Sequence, residues 1–156
     1  MTKKGFTLIE LLVVISIIGI LAGLALISFS SGQKQARDTA RKSDLKQFQN
    51  ALEIFANKSN GLYPSRITAS GDDASGTLCT DLGLSSCPED PRKSEDATFT
   101  YRYQSDGTGG GTADGTQYVL WAKLENSTDY WVSCSTGLNG AKAQTGFSVS
   151  GGNCPI

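Results

Sequence analysis

The chain has 156 residues, with 14 Lys+Arg against 15 Asp+Glu and no histidine. That length suits one domain, or a small domain with an appendage, and the even charge argues against a dedicated polyanion binder. Without histidine there can be no Ser-His-Asp or Cys-His nucleophilic site, no histidine zinc site and no histidine general base.

The chain opens Met1-Thr2-Lys3-Lys4-Gly5 and then runs apolar from Phe6 to Phe29 with one ionisable side chain, Glu10. As a helix this run reaches about 36 Å at ~1.5 Å per residue, enough for a hydrocarbon core of ~30 Å. Lys3 and Lys4 precede it and predict a cytoplasmic start, with the rest of the chain outside the inner membrane. The run is too long for an ordinary secretory signal, and the small residue Gly5 stands before it rather than after it. Glu10 is the anomaly, because a carboxylate in a bilayer costs on the order of 2.5–3.5 kcal/mol unless it is paired or near the interface. Either it snorkels to the headgroups or it awaits a partner. A cut after Gly5 would create an α-amino group on Phe6, one helical turn away, able to neutralise the Glu10 of a neighbouring copy. Gly19 and Gly23 form a G-x-x-x-G pattern suited to close helix packing. With Gly32 they also weaken the helix, so any local unwinding is expected between Gly19 and Ser31.

The helix is predicted to continue to Lys58, since no proline occurs before Asn60. Ala36, Ala40, Leu45, Phe48, Leu52 and Phe55 give one apolar stripe with a slip in the middle. Asp38 and Lys42 make a favourable i,i+4 pair, and Asn57 to Gly61 supply the stop. Residues 59–156 then form a small head whose core the lower helix can wall.

Within the head, 61–96 reads as irregular, with a short helix near Thr80–Leu84. Ala97–Ser105 alternates as a strand, with Phe99, Tyr101 and Tyr103 on one face. A Gly/Asp/Thr-rich loop follows over 104–117. Further strands are predicted at Gln117–Leu124 and Asp129–Cys134, with a turn at Ser135–Gly140 and a weak fourth strand at Phe147–Val149. The fold class is α+β: a long N-terminal helix packed on an antiparallel sheet of three or four strands.

Four cysteines, Cys79, Cys87, Cys134 and Cys154, fall on the side where disulfides persist. Three pairings are open, and proximity favours Cys79–Cys87 with Cys134–Cys154. Their spacing has no C-x-x-C, which speaks against zinc. Asp106 and Asp114, among glycines, are weak calcium candidates, but Asp-Gly pairs also simply form turns. Otherwise no cofactor is expected. Residues 30–58 carry six bases against three acids, and residues 59–156 six bases against eleven acids. A basic stalk could bind DNA, but subunit complementarity is the plainer reading, because non-closing contacts between unlike surfaces build filaments.

Gly5-Phe6-Thr7-Leu8-Ile9-Glu10 before a long apolar helix resembles the class III signal of type IV pilins and type II secretion pseudopilins. The run Tyr101 to Gly107, a glycine loop, then Tyr118 to Glu125 is loosely similar to their C-terminal sheet. The resemblance implies a leader (1–5) cut after Gly5 by a prepilin peptidase, which also methylates the Phe6 amine. It implies a transmembrane and filament-core helix (6–29), an amphipathic helix (30–58) and a head (59–156). It further implies that Phe6 and Glu10 guide docking into a homo-oligomeric helical filament, served by an assembly platform and a motor ATPase. Before assembly the subunit would wait in the inner membrane, single-pass; afterwards the filament would be periplasmic or extracellular. Cys134–Cys154 would bound a C-terminal loop, as in many pilins, and calcium at Asp106 and Asp114 would parallel some pseudopilins. The proline many pilins carry in the apolar helix is missing here. A pilus subunit is the leading reading, a pseudopilin the alternative and a tethered, non-polymerising binding domain the distant one. No enzymatic role is expected, and surface or DNA ligands are open.

Overall fold

The structure, a computed structural model, describes residues 5–156, apart from the side chains of residues 24–28. Lys3 and Lys4 and the rest of the leader before Gly5 lie outside the described residues.

One helix, α1 (Leu8–Lys58), carries the molecule. At ~1.5 Å per residue it is about 76 Å long. It starts two residues later than Phe6, because Thr7 is extended (φ −81°, ψ 152°) and caps it. It ends as expected. Asn60 and Gly61 both turn to positive φ, 56° and 81°, and the Gly61 N–H donates back to the Ala56 carbonyl at 2.8 Å. The helix is unbroken through Gly19–Ser31, where any unwinding was expected.

Two antiparallel sheets pack on its lower half. A five-stranded sheet has the order β2 (Asp72–Asp73), β3 (Arg102–Ser105), β5 (Tyr118–Lys123), β6 (Asp129–Cys134), β7 (Asn139–Ala143). A small pair joins β1 (Tyr63–Pro64) to β4 (Ala113–Gly115). Between β2 and β3, Ala74–Leu78 makes a π-helical turn that runs into α2 (Cys79–Asp81).

The strands at 117–124 and 129–134 stand where the alternation placed them. Three expectations need correction. The strand predicted to begin at Ala97 begins at Arg102. Before it, Asp96 closes a turn by accepting from the Thr98 N–H at 2.8 Å, and the Phe99 N–H donates to the Asp96 carbonyl. The last strand is β7, across the predicted 135–140 turn, not Phe147–Val149. With β2 the main sheet has five strands rather than three or four.

The core lies between α1 and the sheet. Leu45, Phe48, Leu52 and Ala56 face Tyr101, Tyr103, Tyr118, Leu120 and Ala122. Burying each large side chain contributes roughly 2 kcal/mol. Each tyrosine hydroxyl finds a partner: Tyr101 donates to Asp44 at 2.6 Å, Tyr103 to the Pro64 carbonyl at 2.8 Å, and Tyr118 to Glu53 at 3.3 Å. The opposite sheet face, with Val119, Trp121 and Val132, is covered by the C-terminal tail through Phe147 and Val149. That is why 147–149 reads as apolar without being a strand. Gly152, at φ +69°, pins the tail; a Cβ there would sit 2.4 Å from the Gln117 carbonyl oxygen.

The helix stripe explains its own slip. The buried stripe runs Asp38, Arg41, Leu45, Phe48, Leu52 and Ala56, spaced by three or four residues, with Gln49 buried beside Phe48. Two of them are charged, so an apolar reading skips them and substitutes Ala36, which is exposed. Asp38 does not pair with Lys42. It accepts from Arg41 at 2.8 Å, while the Lys42 ammonium lies 4.4 Å from the Trp131 ring centre.

Arg41 has no exposed side-chain surface and meets three carboxylates: Asp38 at 2.8 Å, Asp90 at 2.6 Å and Glu125 at 2.7 Å. Arg37 adds a two-pronged contact to Glu125 at 2.7 and 2.6 Å. Asp38 also accepts the backbone N–H groups of Glu125 and Asn126 at 2.8 and 2.9 Å. The cluster thus fastens the helix to the β5–β6 turn and to the 88–96 loop. Bonds from Arg37 foremost, and from Arg41, hold the Glu125 carboxyl down to about 2 from an ordinary 4.5. Its contribution, on the order of 3 kcal/mol, is therefore complete above about pH 4.5 and is lost as pH falls toward 2. Melts taken from pH 5 to pH 2 should show stability falling in that window. Glu125→Gln should be less stable at pH 5 and should flatten the fall; an unchanged slope would contradict this.

Candidate processing and assembly site

The candidate site is the N-terminal third of α1. Gly5, Phe6 and Thr7 are not helical, so the Gly5–Phe6 bond lies in an open segment just before the cap. Phe6 is 89% exposed. Such a bond can enter a protease cleft without first melting a helix.

Glu10 is not without a partner in its own chain. Its Oε2 accepts from the Thr7 N–H at 2.8 Å and the Thr7 hydroxyl at 2.7 Å, and its own N–H donates back to Thr7 Oγ1 at 3.3 Å. This is a capping box, which satisfies helix-start groups reciprocally and sets a negative charge at the positive end of the helix dipole. The sequence carries the pattern, Thr7-x-x-Glu10 before an apolar run, but reading Glu10 only as a membrane anomaly overlooks it. Both bonds use Oε2. Among the described residues, nothing donates to Oε1.

From Leu11 to Gly23 the helix is apolar apart from Ser16, and its side chains are exposed. Leu11, Leu12, Val13, Val14, Ile15, Ile17, Ile18, Ile20 and Leu21 are each between 48% and 67% exposed. A Cβ added at Gly19 or Gly23 would meet no atom within 4 Å. Apolar helices of this kind are stable only inside a membrane or against other helices. Among the described residues, no helix is long and apolar enough to cross a membrane; the expected span over 6–29 includes residues outside that description. Residues 24–28 fall outside the described side chains.

The structure joins Cys79 to Cys87 and Cys134 to Cys154. The first closes the loop after α2, and the second ties the tail to β6. Opening Cys134–Cys154 by a double change to serine should cost roughly 3 kcal/mol and lower the melting temperature by about 10 °C or more. An unchanged melt would show that the tail is held by packing alone.

Asp106 and Asp114, the weak calcium candidates, are both engaged within the glycine loop. Asp106 accepts from the Thr116 N–H at 2.6 Å, the Thr116 hydroxyl at 2.5 Å and the Gln117 N–H at 3.0 Å. Asp114 accepts from the Thr108 N–H at 3.2 Å and from its hydroxyl. Both carboxylates close turns of the glycine loop. Among the described residues, no cluster of acidic or thiol groups fit for a metal occurs.

Residues 1–26 match the family model for the prokaryotic N-terminal methylation motif. The type IV major pilin protein PilE1 of Neisseria gonorrhoeae is 28% identical over 154 residues, covering 96% of this chain and 78% of that protein. The chain is similar to type IV pilins and type II secretion pseudopilins. Other relatives match less than half of this chain. The type II secretion system core protein G of Pseudomonas aeruginosa is 43% identical over 40% of this chain and 44% of its own length. The type IV major pilin protein PilA of Myxococcus xanthus is 42% identical over 34% of this chain and 24% of its own length. The chain thus spans less than half the length of these two. The relatives are structural pilin and pseudopilin proteins, and the long helix on an antiparallel sheet is the pilin fold.

Proposed function

We propose that this chain is the structural subunit of a type IV pilus-like filament. A prepilin peptidase cuts it after Gly5 and methylates the new Phe6 amine. The processed helix waits in the inner membrane with its start toward the cytoplasm and its head outside. An assembly platform and motor ATPase then draw it into a helical homopolymer. The observation that carries this reading is the apolar half of α1, bare on every side, with one carboxylate at its start. In a filament, neighbouring helices replace lipid around it. The ammonium of Phe6 on one copy meets Glu10 of another, which removes an unpaired buried charge. Oε1 is the atom that can accept it while Thr7 keeps Oε2, so docking does not require the cap to open.

The pseudopilin reading has its own support, since core protein G of Pseudomonas aeruginosa is 43% identical over 40% of this chain. The relative that covers nearly the whole chain is a major pilin, and this favours the pilus. Mass spectrometry of sheared surface material and of membranes separates the two. Abundant sheared protein starting at methylated Phe6 supports a pilus. Processed protein confined to membranes supports a pseudopilin. Uncut Met1 in both fractions, from a host with an active peptidase, would overturn both.

A further inference from the structure

A groove lies between the head-bound half of α1 and the loop closed by Cys79–Cys87. Phe48, Ala51, Leu84, Cys87 and Pro88 line it together with the uncharged polar Gln47 and Ser86. Its volume is about 150 Å³. A space of that size takes one benzene-sized apolar group. Leu84 is 42% exposed, and Ile54, one turn beyond Ala51, is 58% exposed. Residues three apart are neighbours on a helix surface, so the apolar patch extends from the groove along α1. Its wall is fixed: the Leu84 N–H donates to the Cys79 carbonyl at 3.1 Å inside the disulfide ring.

The groove lining itself carries no charge, and several charges of this half of α1 are engaged with the head. Arg37, Asp38 and Arg41 belong to the buried ion cluster, Asp44 bonds Tyr101, and Glu53 bonds Tyr63 and Tyr118. What fits the groove is therefore an uncharged rod studded with Leu-, Ile- and Val-sized knobs. The bare half of α1 is such a rod. It cannot reach its own groove, because α1 is one continuous helix and Gly23 lies about 42 Å up the axis from Ala51 at ~1.5 Å per residue.

We propose that this groove is the socket for the apolar half of α1 of a second copy. The proposal rests on the filament reading and deepens it. A contact between two different parts of the same chain is heterologous and does not close on itself, so it propagates into a filament.

The test uses the full chain in a host that makes the filaments. Leu84→Asp and Ala51→Glu should each cut sheared filament at least about tenfold, with processed subunit accumulating in membranes. Ile67→Asp, on an exposed loop away from the groove, should leave the yield unchanged. Thermal melts and disulfide mapping of the detergent-solubilised chains identify the folded variants. Normal filament yield from folded groove variants overturns the proposal. If the unaltered chain, processed in the same host, yields no sheared filament, the filament reading itself falls. Where a groove variant does not fold, Ala51→Cys combined with Ile15→Cys, Ile18→Cys or Leu21→Cys keeps the question open to test. A ladder of cross-linked copies in sheared filaments from at least one pair supports the socket, and no ladder from any pair overturns it.

Discussion

Glu10→Val is expected to abolish sheared filaments while the head stays folded. Glu10 is far from the core, and its only partner among the described residues is Thr7. Losing a capping-box carboxylate costs an exposed helix end roughly 1 kcal/mol, which leaves the head fold intact. Assembly is a different matter. The Phe6 ammonium must enter a dry bundle of apolar helices, and without its carboxylate it goes in unpaired. Breaking one partner of a buried ion pair costs on the order of 3–5 kcal/mol. Each subunit added would carry that cost, so filaments should fall below detection rather than merely decline. Processed, methylated protein should accumulate in membranes. Glu10→Gln should also fail in large part, because an amide has no charge to balance the ammonium. Normal filaments from Glu10→Val would show that the carboxylate serves only the cap.

Arg41→Ala is expected to be the most damaging single change in the head. Arg41 is fully buried, and its guanidinium also stacks 4.7 Å from the Phe99 ring centre. Removing it leaves Asp38, Asp90 and Glu125 facing one another with only Arg37 and Arg92 at the margin. The cost should be on the order of 4 kcal/mol, a fall in melting temperature of about 15 °C or more. Arg41→Lys should recover only part of this. A lysine keeps the charge but cannot span three carboxylates with a planar fork. A thermal melt of each variant measures it. A loss under about 0.5 kcal/mol for Arg41→Ala would mean that water, not the cluster, holds these carboxylates.

The long helix and the strands at 118–123 and 129–134 were legible because their burial is one-sided and therefore periodic. Strand β7 was not. Its residues Asn139–Ala143 lie at a sheet edge and are almost all exposed, so no apolar alternation marks them. It exists because its backbone pairs with β6 from Ser133↔Asn139 to Asp129↔Ala143. Strands β1, β2 and β4 are two or three residues each, too short for any period to show. Phe99 misled in the other direction. Its alternation with Tyr101 suggested a strand, but its ring is buried under Arg41, Arg92 and Lys123 rather than in a sheet. Of the candidate site, the Gly5–Phe6 bond and the carboxylate were readable, since motif and hydropathy sit in one unbroken stretch. The ion cluster was hidden, because Arg41, Asp90 and Glu125 are far apart in sequence and charged residues read as solvent-facing.

The most direct measurement is a filament structure by electron cryomicroscopy, read at one contact. The expected contact puts the Phe6 nitrogen of one copy within about 3 Å of the Glu10 carboxylate of another, with Thr7 still bonded to the remaining oxygen. A filament in which Glu10 meets only its own Thr7, and the Phe6 amine faces water or lipid, would contradict it.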